Sequence, residues 1–581
     1  MDIKQLYQSE LHQLKKSAVE FAHVHPMLAP LLHQAQTDPD VERLLEGTAF
    51  LTAGIRQKLE DDFPTIVQTL LQMVFPHFLR PIPSATIIQF QPKQNLAEPL
   101  TVQRGTFVDS VPVNGVVCRY ETTLATEVLP LQISSAELIE QVIDGEDRLT
   151  EVRLEMLSLG PVLQQLEFNK LRFYISGDLA NACELFYLIT NRIKWIYVRD
   201  GKTGRRVRMM GRKLRSVGFE KDESLLRFPR NVLPSLRVVQ EYFLFPQKFL
   251  FFELDLGDWK DRGNGLDFRI SLLCSPASSH LPKVESHQFK LFATPAVNLF
   301  QASAEPIVVD HHRRESLVRL SDVDEASYQI FSLDKVSGYS AEMNRERDFR
   351  AYSSMGVQWK NDPVYSLIFR PSITGGKSDL FMSLAFSPEE PLVPNEILSI
   401  HMTCCNANFP KALQLGDVRE PTSNTPELVS FKNIEKPTAF VPVPLQGDLL
   451  SMLLSHLAVN QLSYSDHENL KTLLSLYIFP GGSDKDKDLT NRRRVDGICG
   501  VEVKPEQRLF EKRMVNGQRL KVLLNRDHFS NLGDIYLFGS ILDSFFSSVV
   551  NINSYIEFEI EDAQYGEKIQ WPAKLGGAHL V

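Results

Sequence analysis

The chain is poor in the features that announce chemistry. Its six cysteines, at 118, 183, 274, 404, 405 and 499, form no CxxC pair. That argues against a clustered thiol site and for reduced, mostly structural thiols in a cytosolic protein. His23–Val24–His25 and His311–His312 carry metal-capable side chains, but no HExxH run or nearby Cys/His set completes a site. No GxSxG elbow marks a serine nucleophile. The most apolar run, Tyr242–Phe252, is interrupted by Pro246, Gln247 and Lys248, and nothing approaches the ~20 apolar residues that span a bilayer. The opening MDIKQLYQSE has no basic segment leading into an apolar core, so no secretory signal is expected. A net charge of −9 gives no global reason to seek nucleic acid or anionic membranes.

Two motifs imitate ligand loops and fail on inspection. GGKS at 375–378 resembles the end of a phosphate loop, yet Pro371 stands where the first glycine belongs. Asp484, Asp486 and Asp488 mimic a calcium loop, but Leu489 replaces the required glycine and Val495 the bidentate glutamate. No catalytic residue, cofactor site or metal site is expected.

What is present is ordinary globular composition over 581 residues, 43% apolar and 23% charged, enough for two to four domains. Residues 2–22 predict a helix with Tyr7, Leu11, Leu14, Ala18 and Phe21 on one seam, broken by HPMLAP at 25–30. Asp38 caps a second helix with Pro39 at its first position. Val41, Leu45, Thr48, Thr52, Ile55 and Leu59 form its main seam, with Ile55 and Leu59 expected to matter for folding. Leu44, Phe50 and Leu51 lie off it, so the helix is apolar on more than one side and calls for several neighbours. Pro64 is expected to restart the chain into a further helix ending at Pro76, before a first strand over Thr86–Phe90.

From Ser84 to about Phe300 short strands alternate with Pro, Gly and Asn turns, with one helix over Asp178–Thr190. The stretch 217–256 is dense in aromatics (Phe243, Phe245, Phe249, Phe251, Phe252), each contributing roughly 1.5–3 kcal/mol on leaving water. Core is the plain reading, a partner surface the other. Segment 313–380 reads as an inserted β-subdomain. Helices return near 447, with a capping box at Ser465–Glu468 and a charged loop at 480–494, and the chain closes as a helix turning into a strand. Lys202, Arg205, Arg206, Arg208, Arg212, Lys213 and Arg215 form one basic cluster without aromatics interleaved in sequence. A solvated face or a protein contact is preferred there to nucleic acid.

Blocks of this sequence carry a resemblance. VERLLEG–AFLTA–IRQKLEDDFP, FPHFLRPIPS, RGTFVDS, VGFEKDESLLRFPRNVLPSLRVVQEYFLFPQKFLFFELDL and LFATPAVNLFQASAEPIVVDHH resemble the TssF (VasA/ImpG) family of type VI secretion baseplate subunits. The likeness runs end to end apart from about 313–380. It implies an α+β, β-dominated multi-domain protein with an N-terminal helical bundle segment and a C-terminal helix–strand region. The expected division is 1–84, 85–290, 291–445 and 446–581. The resemblance further implies a structural role: two copies with one TssG form a wedge that carries TssK, meets TssE and rings the VgrG spike, with the sheath and inner tube as indirect partners. Such a protein works in the bacterial cytoplasm at the inner face of the membrane, without inserting into it. Arg80, Pro81, Pro83, Glu241, Tyr242, Phe243, Phe245, Pro246 and Phe249 belong to the family's signature runs and are expected to be structural. Leu44 and Leu51 are the candidate partner contacts. The alternatives are a nucleic-acid module using residues 202–215 and a cytosolic hydrolase whose residues converge only in space.

Overall fold

The structure is a computed structural model. It describes residues 7–8, 11–12, 14, 39–144, 147–228, 234–276, 281–309, 313–321, 324–340, 345–352, 363–372, 377–386, 396–445, 449–450, 452–454, 466–479, 485–510, 513–550 and 554–576. Side chains are described for these except at 39–41, 45, 54–64, 141–144, 147, 234, 345, 510 and 513. Most of the helix expected at 2–22, the HPMLAP break, the Asp38 cap and the histidines at 23, 25, 311 and 312 lie outside the described residues.

One helix runs unbroken from Pro39 to Val74, 36 residues. The expected restart at Pro64 does not occur. Proline there removes one backbone hydrogen bond and costs about 3 kcal/mol in a helix interior. Packing explains why the helix survives it. Ala49 and Ala53 before the proline, and Val67 and Leu71 after it, are all buried. At 100° per residue these four share an arc of about 40°, so a straight continuation keeps one buried stripe in register. This stripe also corrects the expected seam. Thr48 is exposed and Thr52 only half-buried, whereas the small alanines face inward. The side chains of Ile55 and Leu59 lie outside those described.

The first strand, Ala85–Pro92, sits between partners remote in sequence: Ala293–Val297 on one side and Val429–Asn433 on the other, both antiparallel. The full six-stranded order continues through Arg119–Thr122 and Phe107–Ser110 to Val418–Pro421. A five-stranded sheet orders Arg206–Met210, Ile193–Asp200, Asp267–Cys274, Asp147–Ser158 and Leu131–Asp144. A four-stranded sheet orders Leu214–Val217, Phe251–Asp255, Lys170–Ile175 and Phe289–Leu291. The boundary drawn at residue 290 thus falls inside a strand that pairs with Lys170–Ile175. The expected helix appears as Leu179–Asn191, its first turn capped by Asp178 accepting from the Asn181 N–H.

These sheets share one large core with helices that include Leu179–Asn191, Pro234–Leu244 and Leu532–Val549. The last crosses the other two. Gly533 permits the crossing: a Cβ there would come within 2.3 Å of the Cys183 carbonyl carbon. The Gly533 N–H donates to Glu184 Oε2 at 2.9 Å. The Leu532–Val549 helix is followed by the strand Ser554–Asp562, which joins the long hairpin Ile498–Phe510 and Arg513–Leu524.

A second core belongs to an eight-stranded sheet built from residues 300–405, including the described parts of 313–380. Val67, Leu71, Phe75 and Leu79 join that core from the long helix and the turn after it. The helix also covers a bare stretch of strand Val364–Pro371. Gln68 Nε2 donates to the Phe369 carbonyl at 3.1 Å, and Gln68 Oε1 accepts from the Phe369 N–H at 3.0 Å. Gln72 Nε2 donates to the Leu367 carbonyl at 2.8 Å. The unpaired backbone of a strand is thereby satisfied by side chains.

Two C-terminal expectations are corrected. Residues expected as a charged loop form the helix Lys485–Asp496. Asp486 and Asp488 lie in its first turn and Arg493 and Arg494 in its last, the arrangement that suits the helix dipole. The helix His467–Ser475 is capped by Asp466, which accepts from the Glu468 N–H, while Ser465 lies outside the described residues.

Candidate functional site: apolar and basic surfaces around buried charge

The long helix is anchored at its C-terminal end and bare along much of one face. Leu44 is 72% exposed, Leu51 67% and Ile66 57%. These three fall within an arc of about 60°, opposite the buried alanine–valine–leucine stripe. Phe50, Leu70 and Val74 are exposed on its flanks. Scattered apolar residues on a surface are ordinary, but a row along one helix face marks an interaction site.

The turn after the helix ties the two cores together. Phe78 belongs to the large core, whereas Leu79 belongs to the second. His77 Nε2 lies 3.2 Å from the Tyr477 hydroxyl, with the two rings stacked. Arg80 donates to the Arg227 carbonyl at 2.8 Å and lies over the Phe331 ring. Burial lowers its guanidinium pKa to about 10. Pro81 and Pro83 are buried around Ile82, whose N–H donates to the Val441 carbonyl. Prolines suit an extended joint whose backbone is only partly paired.

The other signature run is interior. Tyr242, Phe243, Phe245, Pro246 and Phe249 are buried. At their centre Glu241 is fully enclosed. Its Oε1 accepts from the Leu225 and Leu226 N–H groups at 2.8 and 3.0 Å. Its Oε2 meets Arg237 at 3.4 Å and the buried Lys248 ammonium. Lys248 also donates to the Gly218 carbonyl at 2.8 Å. Burial pulls its pKa down to about 8, against the opposing pull of Glu241. These charges pair with one another and with backbone, so they are spent on the fold.

A cleft of about 680 Å³ opens beside this helix, lined by Phe243, Phe245, Tyr477, Lys487 and Arg494 among others. Among the described residues no histidine or cysteine lines it. Among the described residues no group of three metal-capable side chains converges. Cys118, Cys183, Cys274, Cys404 and Cys405 are buried free thiols, and Cys499 is exposed. For the five buried ones, burial raises the thiol pKa, which makes them poorer nucleophiles.

The basic cluster divides. Lys213 bonds Asp255 and Asp258 at 3.1 and 3.2 Å, and Arg215 bonds Glu253 and Glu223 at 3.1 and 3.0 Å. Arg205 pairs with Asp261. Arg206 and Arg208 instead project from an edge strand onto aromatic rings of the next strand. Arg208 lies 3.6 Å over Trp195 and Arg206 lies 5.2 Å over Tyr197. Aromatics absent from the cluster in sequence are therefore supplied by pairing, a signal that only strand register carries.

The described surface therefore offers an exposed apolar helix row and an edge-strand basic patch. A chain of the TssK-TssF-TssG baseplate subcomplex of the type VI secretion system, solved by cryo-electron microscopy, superposes with a TM-score of 0.79 at 25% identity. The match covers 93% of this chain and 99% of that one. A chain of the type VI secretion baseplate complex shares the fold at TM-score 0.62 and 24% identity, covering 99% of this chain and 100% of its own. The fold is that of a contractile-machine baseplate subunit. The family model "Type VI secretion system, TssF" matches residues 1–578, and the chain belongs to this family. The Pseudomonas aeruginosa type VI secretion component TssF1 is 26% identical over 614 residues, covering 98% of each chain.

Proposed function

We propose that this TssF-family baseplate subunit is a wedge component acting as two copies with one TssG. The wedge holds TssK, meets TssE and surrounds the VgrG spike, so that the sheath and inner tube assemble on it. It works in the bacterial cytoplasm, docked at the inner face of the membrane through the assembled baseplate, without catalysis, cofactor, nucleic acid or membrane insertion of its own. Among the described residues no helix is long and apolar enough to cross a membrane. The observation that carries the reading is the exposed row on the long helix, where Leu44 and Leu51 stand in water; these two are the contacts assigned to the partner. Such a row in a member of a baseplate family has an obvious use as a protein-binding face. Arg80, Pro81, Pro83 and the 241–249 signature residues serve the fold that presents it. The test is co-expression of tagged chain with TssG and TssK from the same gene cluster, followed by native mass spectrometry. The expected core mass is two copies of this chain per TssG. A stable one-to-one complex, or no capture of TssG, contradicts the proposal.

A further inference from the structure

The outer face of the five-stranded sheet carries an arrangement that folding alone does not favour. Arg206, Arg199 and Arg269 stand directly opposite one another on three adjacent strands. Like charges at opposed positions repel, and neighbouring strands lie only ~4.8 Å apart. Arg269 is neutralised by Glu155 at 2.6 Å, on the next strand in the same row. Arg199 and Arg206 are exposed, and among the described residues neither has a carboxylate partner. Arg208 lies two residues farther along the same face. Tyr197 holds Arg206 in place from below, through a ring contact that orients its guanidinium group without neutralising it, and Trp195 lies under Arg208.

Charged residues on an edge strand commonly deter unwanted pairing. That accounts for Arg206 and Arg208 but not for Arg199, which lies on the second strand, paired on both sides. We infer that Arg199, Arg206 and Arg208 form a docking site for an acidic segment of a partner protein, distinct from the long helix. Carboxylates meet arginine in bidentate pairs, and two or three of them on one strand or loop would match a patch roughly 10 Å across. A long polyanion fits less well. The same sheet face is mixed in charge two strands away, where Glu151 and Glu155 flank Arg153 on strand Asp147–Ser158 and Glu137 stands opposite Arg153 on the strand beyond. The whole chain is also net negative. The inference does not depend on the wedge reading.

The test uses the full chain and a fluorescein-labelled, end-capped peptide Ser-Glu-Ser-Glu-Ser-Glu-Ser, read by anisotropy at 150 mM salt. Arg199→Glu with Arg206→Glu should weaken binding at least tenfold, while Arg419→Glu, an exposed arginine elsewhere, should leave it unchanged. Should the double reversal fail to fold, Arg199→Gln with Arg206→Gln carries the test. That pair should also weaken binding. Equal binding by wild type and either double variant overturns the inference. Tighter binding of a 20-nucleotide oligo-dT through the same arginines would make the site a nucleic-acid one and overturn it too. So would full displacement of the peptide by 1 mM inorganic phosphate, which would reduce the patch to a simple anion site.

Discussion

Two helices in this molecule dispose of their side chains in opposite ways. The Pro234–Leu244 helix takes charge inside: Arg237 and Glu241 are buried on it, matched by Lys248 just beyond its end. The Pro39–Val74 helix leaves apolar surface outside, with Leu44, Leu51 and Ile66 in water. Each choice is costly unless compensated. A buried charge needs partners within the chain, because desolvation is not repaid otherwise. An exposed apolar row loses the benefit of burial unless another surface covers it. The first helix has its compensation visible in hydrogen bonds. Among its described side chains, the second is compensated along its inner stripe and at its C-terminal end. The difference separates an element whose charges are matched within the chain from one whose apolar row is left in water.

The contrast breaks first at Glu241. Replacing it with Ala leaves two buried cations and two backbone N–H groups without their acceptor. The expected loss is about 3–5 kcal/mol, measured by denaturant unfolding. A loss below about 1 kcal/mol would mean the network is not the brace described. Lys248 sharpens the point through pH. Its folded pKa is depressed to about 8 from 10.5. Between those values the unfolded chain binds the extra proton, so stability from this group rises with pH across the window and is flat below about 8 and above about 10.5. The full span is on the order of 3 kcal/mol. Lys248→Met should lack that rise, and parallel melts of both chains from pH 7.5 to 10.5 would check it.

Parts of this were legible in the residues. The helix starting at Pro39, the strand near residue 86, the helix near 179 and the buried aromatic run all follow from local pattern. What escaped was set by partners far away in the chain. Ala49 and Ala53 carry little apolar weight, so the true inner stripe was hidden behind larger residues on other faces. Pro64 reads as a break because propensity is local, whereas the register of 49, 53, 67 and 71 is not. The charged run at 485–496 is helical because Asn491, Arg494 and Val495 turn inward, which composition cannot reveal. Asn491 Nδ2 donates to the Phe243 carbonyl and Arg494 pairs with Asp534. The stacking of Arg206 and Arg208 on Tyr197 and Trp195 requires strand register, and the closing of the first sheet by residues 429–433 requires topology.

The smallest effect on stability belongs to the exposed row, and it tests the account most directly. Leu44→Asp with Leu51→Asp removes two side chains already in water, so unfolding free energy should change by no more than about 0.5 kcal/mol per site. Capture of TssG should nevertheless be lost. The measurement is co-expression pull-down with TssG, run beside a thermal melt of the same chain. The expected result is a wild-type melt with no TssG retained. Wild-type retention of TssG by a folded double variant, or collapse of the chain on its own, would contradict it.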